Sequence, residues 1–295
     1  MEFTRENEPD EMRAFFEEFG YLVLRGFFSQ AHVERVNAEI RFALSTGRTC
    51  FPDTTVDVLA PSEYQAPLSE IDAQDLEHPI KINDIYQTSD MVLRTCRERD
   101  LIRILSMLLE GTPIVINTLN LIHGSQQSLH NDSWFMPPPS QGRMVAASIC
   151  LDDITEENGP VFYLPGSHKL SPVCFDGGRR AVRGASEIKA VRTDVEKRAG
   201  GGKFEHRQFT AEAGDVLIWH GELLHGGAPI RDKCQTRRTL VTHYWCAQDV
   251  RDGKLAFENG EPLYLIKRKG IGRLIAKFPA LGRTLHRLSV RKAAH

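Results

Sequence analysis

His130 and Asp132 stand two residues apart in SLHNDSWF, His225 follows far downstream in GELLHGG, and Arg237 lies twelve residues beyond it in TRRTLVTHYW. Two imidazoles and one carboxylate are the donor set that occupies one face of a non-heme Fe(II) ion and leaves the remaining positions open. Residues i and i+2 of a strand point the same way, so His130 and Asp132 can share one metal while His225 arrives from a distant strand. An arginine past the last ligand can hold the far carboxylate of a 2-oxo acid in a bidentate clasp.

The pair needs context, because the chain repeats it. His32-x-Glu34 and His220-x-Glu222 have the same spacing. His32 falls in QAHVERVNAEIRFAL, a helical pattern in which i and i+2 diverge around the axis. His220 and Glu222 adjoin His225, so spacing alone leaves them open as an alternative.

The longer runs GSQQSLHNDSWFMPPP, SICLDDITEENGPVFYLPGSHK, AEAGDVLIWHGELLHGGAP and TRRTLVTHYW occur in that order. Together they resemble the phytanoyl-CoA dioxygenase family, Fe(II)- and 2-oxoglutarate-dependent oxygenases on a double-stranded β-helix. The resemblance runs from about Phe15 to Trp245. It implies an α+β chain with a jelly-roll, cupin-like core and N-terminal flanking helices. It also implies His130, Asp132 and His225 as ligands of Fe(II), and 2-oxoglutarate as a cosubstrate paired with Arg237. Arg238 lies on the opposite strand face, and a register slip of one residue would exchange the two. A polar strand residue near the cosubstrate, Asn117 or Asn120, and Lys81 of HPIKINDIY follow from the same likeness. Gln127, Trp134 and Met136 flank the metal pair and are candidates for the substrate pocket. PGSH at 165–168 has turn composition and no acid spaced for a triad, which makes Ser167 and His168 structural.

The implied activity is hydroxylation of a small-molecule or carrier-bound substrate, with release of succinate and CO2. Desaturation and ring formation remain open. Asp132 matters here, since related halogenases lack this carboxylate and place halide there. Two alternatives differ in kind. One is a cupin-like metalloenzyme that needs no 2-oxo acid, against which Arg237 argues; the other is a non-catalytic jelly-roll binding module.

A chain of 295 residues with 41% hydrophobic content can bury the core of a single domain. Its six cysteines are scattered, without a Cys-x-x-Cys pair, which suits a reducing cytoplasm and argues against a zinc ribbon or disulfide scaffold. The polar, acidic start MEFTRENEPDEM is no signal peptide, and no apolar run has the length of a membrane span. No nucleic-acid partner is expected. Charge is uneven: nine Lys/Arg and no Asp/Glu follow Glu261, so residues 1–261 carry a formal −11. Such a basic tail either docks on its own acidic body or meets an acidic carrier protein or membrane surface.

The elements that must position these residues are legible in outline. DEMRAFFEEFGYLVLRGFF predicts a helix capped by Gly20 and then a buried strand, with a second helix from about Ser29 to Leu44. Residues 46–79 predict a long loop, and RTCRERDLIRILSMLLEG one amphipathic helix ending at Gly111. From Thr112 short β-rich runs alternate with turn residues, the pattern of a sandwich or jelly roll. The expected division is thus a helical and loop region at 1–111, a jelly-roll core at 112–246, and a basic helical tail at 247–295. Residues 171–203, rich in glycine and mixed charge, read as a mobile insertion by the site mouth.

Overall fold

The first helix, α1 (Pro9–Phe19), buries Met12 and Phe16 and stops at Gly20, whose φ of 78° lets its N–H return to the Phe16 carbonyl. A side chain at Gly20 would also collide with the His168 ring, 2.4 Å from the position of a Cβ. The structure is a computed structural model that describes residues 1–51, 54–59, 64–72, 74–251, 255–258 and 261–264. Of the basic helical tail expected at 247–295, residues 255–258 and 261–264 pair instead as a β-hairpin, and residues 265–295 lie outside the described residues.

After α1 come the fully buried strand β1 (Tyr21–Leu24) and a second helix, α2 (Gln30–Cys50). The region expected to be loop instead holds two strands, β2 (Thr55–Val58) and β3 (Tyr64–Pro67), and β2 also pairs with β4 (Ile80–Asn83). Val56 and Val58 are the buried alternate residues of β2, a period-two signal too short to stand out against the prolines around it.

The single amphipathic helix expected before Gly111 is two, α3 (Asp90–Cys96) and α4 (Arg99–Leu109). Glu98 breaks them by capping the second, its carboxylate accepting from the Leu101 N–H at 2.9 Å. Then follow β5 (Pro113–Leu121), β6 (Met144–Cys150) and β7 (Val161–Tyr163).

The insertion read as mobile carries a sixteen-residue helix, α5 (Gly184–Ala199), whose Val191 and Val195 pack with Trp134, Leu164 and Leu224. The remaining elements are β8 (Arg207–Gln208), β9 (Val216–His220), β10 (His225–Gly227), β11 (Thr239–Cys246) and a terminal hairpin, β12 (Leu255–Glu258) with β13 (Glu261–Tyr264).

Two antiparallel sheets result. The larger runs β1-β9-β6-β11-β5-β4-β2-β3 and the smaller β10-β7-β8. This is the expected jelly-roll core with helices, an α+β chain. The pleat gives the large sheet two different faces. On β11, Leu240 and Tyr244 turn outward into the cluster formed with Val36, Ile40, Leu101 and Leu105 of the helices. Val241 turns inward, with Leu217 and Trp219 of β9 and Tyr163 of the small sheet. By the same alternation Arg237, Thr239 and His243 belong to the inner side.

One histidine outside that interior has a measurable consequence. His220 ends β9 with its ring 5.2 Å from that of His168, and its Nδ1 accepts from the Glu222 N–H at 3.1 Å. Burial, with His168 beside it, draws its pKa down to about 4. The fold therefore holds it neutral while the unfolded chain protonates near pH 6.5, so stability falls as pH drops from about 6.5 towards 4. We expect His220→Gln to remove on the order of 2 kcal/mol of that acid loss, read as a smaller decline in melting temperature between pH 7 and 4.5. An unchanged decline would count against a neutral His220.

Candidate metal centre

The site is built across the open edge of the small sheet. His130 lies against β10 as an isolated antiparallel bridge to His225, with reciprocal hydrogen bonds of 2.9 and 2.8 Å between their backbones. The pairing continues where Gly227 N–H donates to the Gln127 carbonyl at 2.9 Å. Two glycines follow His225 because there is no room for anything larger: a Cβ on Gly226 would stand 2.7 Å from the Gln127 carbonyl oxygen, and one on Gly227 would stand 2.6 Å from the Gln126 nitrogen. Close approach of the two segments thus sets the histidines side by side, ring centres 4.4 Å apart.

Each imidazole is fixed in the same way. His130 Nδ1 lies 2.8 Å from the Ser128 carbonyl, and His225 Nδ1 lies 2.9 Å from the Leu223 carbonyl. A carbonyl only accepts, so each Nδ1 carries a hydrogen, which leaves Nε2 as the nitrogen of each ring that can coordinate a metal. Burial, reinforced by His225, draws the pKa of His130 down to about 3 and keeps it the neutral donor a metal requires. Asp132 opens a short 3-10 turn, Asp132–Trp134, instead of continuing a strand, and the turn carries its carboxylate back beside the rings. Burial opposes its charge, but His225 and His243 outweigh burial and hold its carboxyl well below the usual carboxylate range.

Among the described residues, His130, Asp132 and His225 are the group whose donor atoms converge, all within 4.8 Å of one another. His225 Nε2 and Asp132 Oδ1 are 3.6 Å apart, close to the separation of about 3 Å between neighbouring ligands bound near 2.1 Å. His220 is not in the group. Two imidazole nitrogens and one carboxylate oxygen converging in this way match the donor set of a ferrous site.

The inner face of the large sheet supplies the rest. Arg237 is 2% exposed, and its Nε and Nη1 find no partner. Burial draws its pKa down to about 10, and among the described residues it forms no ion pair. Thr239, on the same face, is wholly buried with an unpartnered Oγ1. The neighbouring Arg238 is already engaged outside, its Nη2 at 2.8 Å and its Nε at 2.9 Å from the two oxygens of Asp152. A buried guanidinium beside an unsatisfied hydroxyl is a cradle for an anion.

The two asparagines part company. Asn117 pairs with His243 across β5 and β11, whereas Asn120 pairs with Leu240 and Ile82, both members of the helix-facing cluster. Asn120 is therefore on the wrong face for the cosubstrate, a correction of the sequence expectation. The pleat separates them: Asn117, Leu119 and Leu121 oppose His243, Val241 and Thr239 in one unbroken register, and a β-bulge between Val115 and Asn117 changes parity only before that stretch. Lys81 pairs with Leu121 on the inner face, and its charge is felt by His130.

Of the residues flanking the pair, Gln127 and Met136 are half-buried, while Trp134 is packed core beneath α5. Phe135, not singled out from sequence, is 45% exposed with its ring edge-on to His130 at 5.9 Å. Also missed were Trp219, whose Nε1 donates to Asp132 Oδ2 at 2.7 Å, and His243, whose Nε2 lies 3.5 Å from the same oxygen. Even spacing from Arg237 through Thr239 and Val241 was the signal that would have found His243.

A sequence profile described as Phytanoyl-CoA dioxygenase (PhyH) matches residues 16–239, most of the chain. The chain belongs to this family. The peroxisomal phytanoyl-CoA dioxygenase of Rattus norvegicus is 24% identical over 257 residues, which span 82% of this chain and 69% of that protein. Among solved structures, the non-heme alpha-ketoglutarate-dependent carbocyclase SnoK from nogalamycin biosynthesis superposes with a TM-score of 0.63 at 16% identity, covering 84% of this chain and 88% of its own. EctD from S. alaskensis, solved with 2-oxoglutarate and 5-hydroxyectoine, gives 0.59 at 17% identity, with coverage of 83% and 79%. At those identities the structural likeness speaks for the PhyH fold alone.

Gly226→Ala tests the assembly. The added methyl must push the Gln127 carbonyl away from β10 and take the His130 segment with it. We expect a stability loss of about 1–3 kcal/mol in urea melts together with a steep loss of Co(II) affinity by calorimetry. Affinity equal to that of the unsubstituted protein would show that the close approach is not what aligns the two rings.

Proposed function

We propose that this PhyH-family chain is an Fe(II)- and 2-oxoglutarate-dependent dioxygenase acting on a small organic molecule and releasing succinate and CO2. The observation that carries the reading is the buried, unpaired Arg237 on the same inner face as a converged His-Asp-His set. A metalloenzyme without a 2-oxo acid has no use for that charge, and burying it unpaired is costly. Bound Fe(II) and 2-oxoglutarate supply oxidative decarboxylation coupled to substrate oxidation.

The chain's own residues have distinct tasks. Nε2 of His130, Nε2 of His225 and one oxygen of Asp132 would hold the metal. Arg237 and the hydroxyl of Thr239 would take the far carboxylate of the cosubstrate, which orients its other end towards the metal. Val241, Leu217 and Trp219 are buried on the same inner side, so an ion pair at Arg237 would form in a low dielectric. Phe135, with Gln127 and Met136, lies where a substrate would approach His130. Lys81 adds a positive field suited to an anionic ligand.

Asp132 favours hydroxylation over halogenation, because it fills the position a halide would need. A carrier-protein partner rests on the charge of the basic tail alone and gains no further support. No helix among the described residues is long and apolar enough to cross a membrane. Free thiols at Cys96, Cys150, Cys174, Cys234 and Cys246 suit a reducing compartment such as the cytoplasm.

Anaerobic protein given Fe(II) and 2-oxoglutarate should develop a weak visible charge-transfer band, and air should then yield succinate. Absence of both would remove the proposal. Arg237→Ala should raise the 2-oxoglutarate requirement about 30-fold or more, since losing one partner of a buried charged pair costs at least about 2 kcal/mol. Arg238→Ala, which only frees Asp152, should leave that requirement near normal. An equal effect of the two substitutions would transfer the clasp to the other register.

A further inference from the structure

Asp132 is held from behind by a chain of side chains that no catalytic assignment uses. Its Oδ2 receives the Trp219 N–H at 2.7 Å and faces His243 Nε2 at 3.5 Å, while Oδ1 is the oxygen turned to His225. His243 Nδ1 meets Asn117 Oδ1 at 3.1 Å, and Asn117 Nδ2 donates to Asp84 Oδ1, also at 3.1 Å. The directions are forced. Asp84 Oδ1 accepts from the Thr118 backbone N–H as well, at 3.0 Å, so the amide nitrogen of Asn117 must face Asp84 and its oxygen must face His243. His243 Nδ1 then donates to Asn117 Oδ1, and the ring is locked with Nε2 aimed at Asp132 Oδ2, to which it donates when that nitrogen also carries a hydrogen.

Each link is placed by a local departure from regular structure. Asp84 sits at φ 60°, ψ 31°, a left-handed conformation uncommon outside glycine and best tolerated there by Asp and Asn. Asn117 follows directly after the bulge in β5 and keeps the inward register of Leu119 and Leu121. His243 is 1% exposed on the strand opposite. A turn, a bulge and a strand thus converge on one oxygen of one carboxylate.

We propose that Asp84, Asn117 and His243 form a positioning relay that, with Trp219, engages Oδ2 and makes Asp132 a one-oxygen ligand. The inference rests on the metal reading above and deepens it. A carboxylate free to turn can bind a metal through both oxygens and would then fill a position the cosubstrate or dioxygen needs. With Oδ2 occupied from behind, only Oδ1 remains for the metal. None of the three relay residues is a metal ligand.

Glycine accepts the backbone conformation of Asp84 without penalty but has no acceptor, whereas asparagine tolerates it and keeps one. Co(II) titration by calorimetry and the visible Co(II) spectrum should be recorded for the full chain and for Asp84→Gly, Asp84→Asn, Asn117→Leu and His130→Ala. Each protein is first shown by melting to be folded without metal at the titration temperature. Asp84→Gly and Asn117→Leu should weaken Co(II) binding about tenfold or more and change the spectrum, as loss of a residue behind a ligand does. Asp84→Asn should stay within about twofold of the unsubstituted chain by the same measure. Should Asp84→Gly not fold, Asn117→Leu carries the test, because that side chain makes no backbone hydrogen bond. Normal affinity and spectrum in Asn117→Leu, or an Asp84→Asn as impaired as Asp84→Gly, overturn the relay. If the unsubstituted chain binds Co(II) no better than His130→Ala, the metal reading itself falls and the relay with it.

Discussion

Two backbone hydrogen bonds, between His130 and His225, are the constraint on which the site depends. They join an irregular segment to the edge of a three-stranded sheet, and everything metal-binding is measured from them. Reciprocal bonds in an antiparallel pair put the two side chains on one face at neighbouring positions. The carbonyls of Ser128 and Leu223, each two residues earlier, then turn each ring through its Nδ1. Gly226 and Gly227 are part of the same constraint, since the ladder closes only where the chain has no side chains to separate it. The histidines are oriented by backbone, which moves little, rather than by other side chains.

The large sheet contributes through its two-faced pleat. On β11 the outward residues Leu240 and Tyr244 join the helices to the sheet, and the inward ones face the chemistry. Substitutions at alternate positions of one strand should therefore report on different properties, stability outside and ligand binding inside. The β5 bulge is the exception to this regularity, and it lies just before Asn117, between Val115 and the inward residues Asn117, Leu119 and Leu121.

This division explains what the sequence disclosed. His130, Asp132, His225 and Arg237 were legible because their residue types are chemically unusual together and their order carries over from a family. The reason given for the first two was only partly right: Asp132 reaches the site through a 3-10 turn, not along a strand. Arg237 lies on the inner face by the pleat; Asn117 and Asn120, three residues apart, face opposite ways, and which of them faces inward depends on the pairing with β11, which leaves no mark in composition. The helix α5 was hidden by flanking glycines and by an apolar stripe reduced to Val191 and Val195. The strands at 55–58 and 64–67 were too short for their period to show. What was illegible was whatever depends on contacts between distant segments, and the relay behind Asp132 is entirely of that kind.

Charge ties the two halves of the site together. Asp132 brings one buried negative charge and Arg237 one buried positive charge, and no hydrogen bond or ion pair joins them. Each is costly alone in a low-dielectric interior. Added together, a divalent cation held beside Asp132 and a dianionic 2-oxo acid held near Arg237 would keep the sum over these two residues and their ligands at zero, as it is when both are absent. Neither addition does so alone. A divalent ion by itself leaves the interior two charges positive, and the acid by itself leaves it two negative. The protein thus favours the filled pair over either half-filled state, so each ligand should bind more tightly in the presence of the other. The coupling follows from placing two opposite charges in one dry interior and holding them apart.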